Sequence, residues 1–307
     1  MDENSDFQRR YWDHTFGPKA RLHIIPTVSE ARINYILLYR GAFNPPHIGH
    51  LNFLKDSLAH AGPDLHIIGA IIQPSDTRWM AEHKKCDLVL SEDARSKLLS
   101  EDKRIPDSVL AFRSDGYYGL AYFQERVADL HVRVRFIQLI SAETDLGLEN
   151  GTQEWPAGFD GVLINTYGRR REGTLPLEEL QNEPWTSLHE SGASVHRYHR
   201  MYANKKGVIK GFMRVITRGE NEMESKISSS LVRNFASAMS VEEVAGSETL
   251  SKVVLSWSTL MQDETWLRWL RDKPTGWDAS SAPQERIGLE QALREAWDQE
   301  QRNLEVE

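Results

Sequence analysis

Residues 33–50 read INYILLYRGAFNPPHIGH. The first half, Ile33 to Tyr39, is apolar and rich in β-forming side chains, and it stops at Arg40-Gly41. That pattern predicts a buried strand closed by a sharp turn. Beyond the turn, Ile48, Leu51, Phe53, Leu54 and Leu58 recur at helical spacing until Gly62-Pro63 ends the run. A second continuous apolar run follows, LHIIGAIIQ from Leu65 to Gln73, as expected of a strand covered on both faces. A helix between two such strands is a βαβ unit, so the fold class predicted is α/β, a doubly wound parallel sheet.

The rest of the chain extends this pattern. SEDARSKLLSED predicts a capped helix starting near Ser91, and YYGLAYFQERVADL another. HVRVRFIQLI, GVLINTYG from Gly161 and GFMRVIT from Gly211 read as further strands. Between the last two, residues 173–207 are polar and poorly periodic, which suits an insertion better than a second core. ISSSLVRNFASAMS reads as a helix start, with serines to cap it and Leu231, Val232 and Phe235 on one side. The organisation expected is an N-terminal extension over 1–30, a main domain over 31–240 and a helical C-terminal extension over 241–307. The last of these carries Trp257, Trp266, Trp269, Trp277 and Trp297, which are expected to pack the tail onto the body, and its last dozen residues read as solvated.

Composition narrows the function classes. With 307 residues and 40% hydrophobic content the chain can bury a core, and no apolar run is long enough to span a membrane. The polar N-terminus lacks a signal-peptide layout, and Cys86 is the sole cysteine, so the expected setting is a reducing one, cytoplasmic or nuclear. A net charge of −8 argues against a long nucleic acid as partner, and any phosphate site must be local.

GAFNPPHIGH joins the end of the first strand to the start of the first helix. In an open parallel sheet ligands sit beyond the carboxyl ends of strands, and a helix N-terminus there offers free N–H groups and positive partial charge to a phosphate. Gly41 permits close backbone approach, and Pro45-Pro46 stiffens the entry to the helix. His47 and His50 stand three apart, so two imidazoles can donate hydrogen bonds to a triphosphate. Zinc is the competing reading of such a pair, but no cysteine cluster or evident third ligand accompanies it, and no metal ligand is assigned. Downstream, SKISSSLVRN puts Ser228, Ser229 and Ser230 at a helix start, with Arg233 one turn in, a suitable grip for the far end of a triphosphate.

GAFNPPHIGH resembles the GxFxPPHxGH signature of the nucleotidylyltransferase superfamily and is most similar to nicotinamide or nicotinate mononucleotide adenylyltransferases. ISSSLVR resembles their ISSTxxR signature, with Ser230 in place of threonine. The resemblance implies a Rossmann-like fold, ATP with Mg²⁺, and transfer of AMP to a small phosphorylated acceptor. It also implies contacts from His47, His50 and Arg233 to the ATP phosphates, with Gly41, Ala42, Phe43 and Ser228–Ser230 lining the nucleotide site. ISSSLVR equally resembles segments of phosphopantetheine adenylyltransferases, so acceptor and nucleotide stay open, cytidylyl transfer included.

HIGH is also the first signature of class I aminoacyl-tRNA synthetases, and KISSS at 226–230 partly matches their second. Ser229 stands where that motif has its phosphate-holding lysine, 77 residues after Ser230 are few for an anticodon domain, and the acidic balance does not suit tRNA. By the family match Lys84 or Lys85 meets phosphate and Asp145 lies near the ATP ribose, although Glu143 replaces a glycine there. That departure leaves a catalytically degenerate, nucleotide- or partner-binding member as the alternative. Trp79 reads as a stacking platform or as core, and Arg169–Arg171 as an acceptor-phosphate loop or a solvated turn. Family members often form homo-oligomers.

Overall fold

A computed structural model describes residues 29, 31–83, 87–111, 133–141, 159–167, 185–194, 197–204, 212–218, 227–272 and 282–305. The chain divides into two compact units, each assembled from three separate stretches: Met1–Arg40, Phe53–Gln73 and Pro106–Glu224 in one, Gly41–Asn52, Pro74–Ile105 and Ser225–Glu307 in the other.

The first unit is built on the sheet. Strand β1 (Asn34–Gly41) buries Ile36, Leu37 and Leu38 in succession, which requires cover on both faces. Helix α1 (Ile48–His60) follows, then β2 (His66–Pro74), giving the expected βαβ unit. The remaining strands are β3 (Val109–Ala111), β4 (Val134–Ser141), β5 (Phe159–Asn165), β6 (Trp185–Ser194), β7 (Arg197–Asn204) and β8 (Phe212–Arg218). They lie in the order β3-β2-β1-β4-β5-β8-β7-β6. The leading 3-2-1-4-5 order, with parallel pairing of β2–β3, β1–β4, β4–β5 and β5–β8, is that of a Rossmann-like α/β fold.

Strands β5 and β8 approach closely at Gly161. A Cβ there would lie 2.3 Å from the Phe212 carbonyl oxygen, so no larger residue fits. Buried polar ties hold the second half of α1. Asn165 at the end of β5 donates to Asp56 (2.7 Å) and to the Ser57 hydroxyl (2.8 Å), while the buried Arg214 guanidinium grips Asp64 and the Ala61 carbonyl.

The polar stretch 173–207, read as an insertion, has regular structure within it. It supplies β6 and β7, an antiparallel pair that extends the sheet through an antiparallel β7–β8 ladder. Backbone bonds alone build such a ladder, and an antiparallel sheet tolerates one solvated face, so its strands need no continuous apolar run. The helix expected over residues 117–130 and the Arg169–Arg171 loop lie outside the described residues.

The second unit is helical. It contains α2 (Thr77–His83), α3 (Glu92–Glu101), α4 (Ser229–Ser237), α5 (Val241–Ala245), α6 (Glu248–Val253), α7 (Trp257–Leu260), α8 (Glu264–Asp272) and α9 (Ala282–Glu305). Serines set the breaks between the short helices. Ser240 and Glu243 close a capping box on α5, Ser247 caps α6 through the Leu250 amide, and Ser256 takes a left-handed φ of 47° before α7. Trp266 is wholly buried, edge-on to Trp257 and tilted against Trp269, whose indole N–H donates to Asp87 at 2.9 Å. Trp277 lies outside the described residues. The end expected to be solvated is helical to Glu305, with Asp298 and Arg302 exposed and Ala296 and Gln299 buried. Among the described residues no helix is long and apolar enough to cross a membrane.

Candidate active site

The second unit contains both sequence motifs. Gly41 closes β1, and a Cβ on it would meet the Phe43 ring at 3.0 Å. Glycine leaves room for that ring to fold back. Phe43 is itself left-handed, with φ 47°, an uncommon state for a side chain of its size, and is completely buried. Its ring sits edge-on to His50 at 4.9 Å.

Two buried polar side chains fix the path of this loop. Asn44 donates to the Leu88 carbonyl (2.6 Å) and accepts from the Leu90 amide (3.0 Å), reading one neighbouring backbone as a partner strand would. Arg95, on α3 and fully buried, spreads its guanidinium over three stretches of backbone: Ala42 O at 2.7 Å, Ser75 O at 2.6 Å and Leu90 O at 3.0 Å. A planar fork of five donors suits that task as no other side chain does. Gly41 O in turn accepts from the Ser75 amide at 2.8 Å.

Helix α1 begins at Ile48, so His47 immediately precedes it and His50 lies in its first turn. Their rings stack at 3.7 Å with 30° between planes. The His47 amide donates to His50 Nδ1 at 3.2 Å, which leaves the proton of a neutral His50 ring on Nε2. Removal from water pushes the His50 imidazole down to about 3, so the ring is neutral near pH 7. A neutral Nε2–H is a donor that needs no protonation to act.

The second motif reaches the same loop. Ser228 caps α4 through the Leu231 amide at 3.1 Å, as the sequence predicts. Ser229 Oγ donates to Pro45 O at 2.9 Å, and Arg233 donates to the Asn44 carbonyl and to Ser230 Oγ. Residues some 180 positions apart thus share hydrogen bonds, and Gly41, Ala42, Phe43, His47, His50, Ser228, Ser229, Ser230 and Arg233 fall in one compact unit. Lys84, Lys85, Glu143 and Asp145 lie outside the described residues. Trp79 is 44% exposed and stacked on His83 at 5.1 Å, so of its two readings core packing is not the one found. Among the described residues no group of three His, Cys, Asp or Glu side chains is placed to hold a metal ion.

Arg95 and Asn44 carry no motif that reveals their tasks in the sequence. The available signal is positional: Arg95 shares the buried face of α3 with Leu98 and Leu99, at i, i+3 and i+4. A charge on an apolar helix face implies dedicated partners.

Comparison with known proteins gives a family. No curated protein sequence matches the chain. Among solved structures it is similar to the Plasmodium falciparum nicotinic acid mononucleotide adenylyltransferase complexed with NaAD, with 13% identity over 67% of this chain and 84% of that one and a TM-score of 0.38. The cytidylyltransferase-like family matches residues 38–235, a span that starts in β1 and ends in α4, thereby taking in both motifs. The chain belongs to the cytidylyltransferase-like family and is a nucleotidyltransferase.

Proposed function

We propose that the chain moves AMP from ATP to the phosphate of nicotinamide or nicotinate mononucleotide, releasing pyrophosphate and forming a dinucleotide. The observation that carries this reading is the stacked His47–His50 pair at the start of α1, within the unit that also holds Ser229 and Arg233. The choice of acceptor rests on the motif sequences GAFNPPHIGH and ISSSLVR.

In this reaction an oxygen of the acceptor phosphate attacks the α-phosphorus of ATP in line. A new P–O bond forms, the bond from the α-phosphorus to the α,β-bridging oxygen breaks, and pyrophosphate leaves with that electron pair. The nucleophile is already an anion, so no side chain needs to remove a proton. Catalysis then consists of positioning and of stabilising charge on the phosphate oxygens. His50 Nε2–H and the His47 ring would donate towards the α- and β-phosphates. The amides and hydroxyls at the start of α4, with the Arg233 guanidinium, would take the β- and γ-phosphates. Mg²⁺ would arrive on the triphosphate oxygens, shielding their charge.

The test is to incubate the full chain with ATP and Mg²⁺ and, in parallel, nicotinamide mononucleotide, nicotinate mononucleotide and phosphopantetheine, with a CTP and phosphocholine arm. Pyrophosphate release and the mass of the product are read. A dinucleotide from either pyridine mononucleotide is expected. Product only in another arm overturns the acceptor, and nucleotide binding without product in any arm favours the degenerate alternative.

A further inference from the structure

The last residues of α6 and the three that join it to α7, Lys252 to Ser256, form a short strap, with Val254 extended and Val254 and Leu255 fully buried. One edge of the strap meets the site. Val254 forms an antiparallel bridge with His47, and the Leu255 amide donates to Pro46 O at 3.1 Å. The other edge is held by two side chains that follow the end of α3. Arg104 donates to Lys252 O at 2.6 Å and Val254 O at 2.7 Å, and Asp102 accepts from the Ser256 amide.

Asp102 and Arg104 are themselves paired fork to fork, Nε to Oδ1 at 2.9 Å and Nη2 to Oδ2 at 2.8 Å. Such a two-bond pair fixes orientation as well as distance. The partners also keep the Asp102 carboxyl below the usual carboxylate range: bonds from Arg104 and Ser256 outweigh the opposing effect of burial. The pair therefore acts as a fixed block on which the strap lies, and the strap in turn backs the peptide that carries His47.

We propose that Asp102 and Arg104 are positioning residues for His47 and His50, acting through the strap, and that the C-terminal extension thereby completes the catalytic loop. This rests on the role given above to the two histidines. A purely structural alternative exists, in which the pair merely pins the C-terminal helices. Thr259 provides the control, because its hydroxyl bonds Glu101 at 2.6 Å and joins α3 to α7, while its link to the strap, from its amide to Ser256 O, is main-chain and survives the change to alanine.

The test uses the full chain as Arg104→Lys, Arg104→Ala, Asp102→Asn and Thr259→Ala. Histidine ring ¹⁵N and ¹³C signals are followed against pH by NMR, with thermal unfolding alongside. If the strap positions His47, the Arg104 and Asp102 variants lose the His47 N–H to His50 Nδ1 bond and let water reach the ring, and the His50 titration moves up towards the ordinary value near 6.5. Arg104→Lys keeps the charge but not the fork and should shift it as well, and Thr259→Ala should leave it in place. An unchanged His50 titration in the folded Arg104 and Asp102 variants overturns the proposal, as does an equal shift in Thr259→Ala. Where nucleotidyl transfer is measurable, the same variants should lower kcat by about 100-fold with KM for the nucleotide little changed. The NMR readout needs no substrate, so a wild-type protein without transfer activity would sink the functional reading while leaving this result to stand or fall alone.

Discussion

At His50, geometry and acid–base state act together. The ring accepts from the His47 amide, stacks on its partner and is kept neutral by removal from water. Replacing it by alanine should reduce transfer by about 100- to 1000-fold, the loss associated with one preorganised donor, while the circular dichroism spectrum stays native. Near-normal turnover would remove His50 from the machinery. The same ring makes stability depend on pH. Its folded value is about 3 against an unfolded value of 6.5, so between these the unfolded chain holds the extra proton. The contribution is full above the unfolded value and is lost as pH falls from there towards 3. Urea unfolding should therefore show that the stability gap between wild type and His50→Ala narrows on moving from about pH 7.5 to about pH 4.5, and a constant gap would contradict the neutral ring.

Among the elements, α4 shows how a cap serves both folding and the site. Ser228 satisfies the Leu231 amide, and the next hydroxyl along holds Pro45 O. Ser228→Ala should cost about 1 kcal/mol in denaturant unfolding, the usual worth of an N-cap, with a weaker grip on ATP in binding titrations. A cap of this kind is legible in sequence because it depends on residue type and spacing. So were β1, α1 and β2, whose apolar runs and helical period follow directly from burial on two faces or on one. The hairpin of β6 and β7 was not legible, since its ladder is made by backbone groups that every residue carries. The same reason hid Asn44, Arg95, Asp102 and Arg104. By residue type alone the two arginines would be expected to meet carboxylates and Asp102 a cation, whereas much of what these side chains hold is main-chain carbonyl and amide.

For the whole molecule, the helical unit rests on an aromatic centre as much as on the loop it presents. Trp266 has no exposed surface and lies between Trp257 and Trp269. Trp266→Ala should cost roughly 3–5 kcal/mol in chemical denaturation. That is a large share of the 5–15 kcal/mol typical of a folded protein, so the variant should also lose nucleotide binding well below the wild-type melting temperature. A variant that unfolds at the wild-type denaturant concentration would show that the tryptophan cluster carries little of the unit.

The strap at Lys252–Ser256 also has a temporal consequence. The loop it backs, Asn44 to His50, leaves the ribosome some 200 residues before it does. Protein synthesis proceeds from the N-terminus at about 5–20 residues per second, so for tens of seconds the histidine loop exists without its backing. A nascent chain can already contain β1 and β2 during that interval, yet if the strap positions the histidines as proposed, the site is finished only when the strap has emerged. On that proposal, competence for nucleotide would be a late event in the life of each new chain, set by chain order rather than by the intrinsic speed of folding.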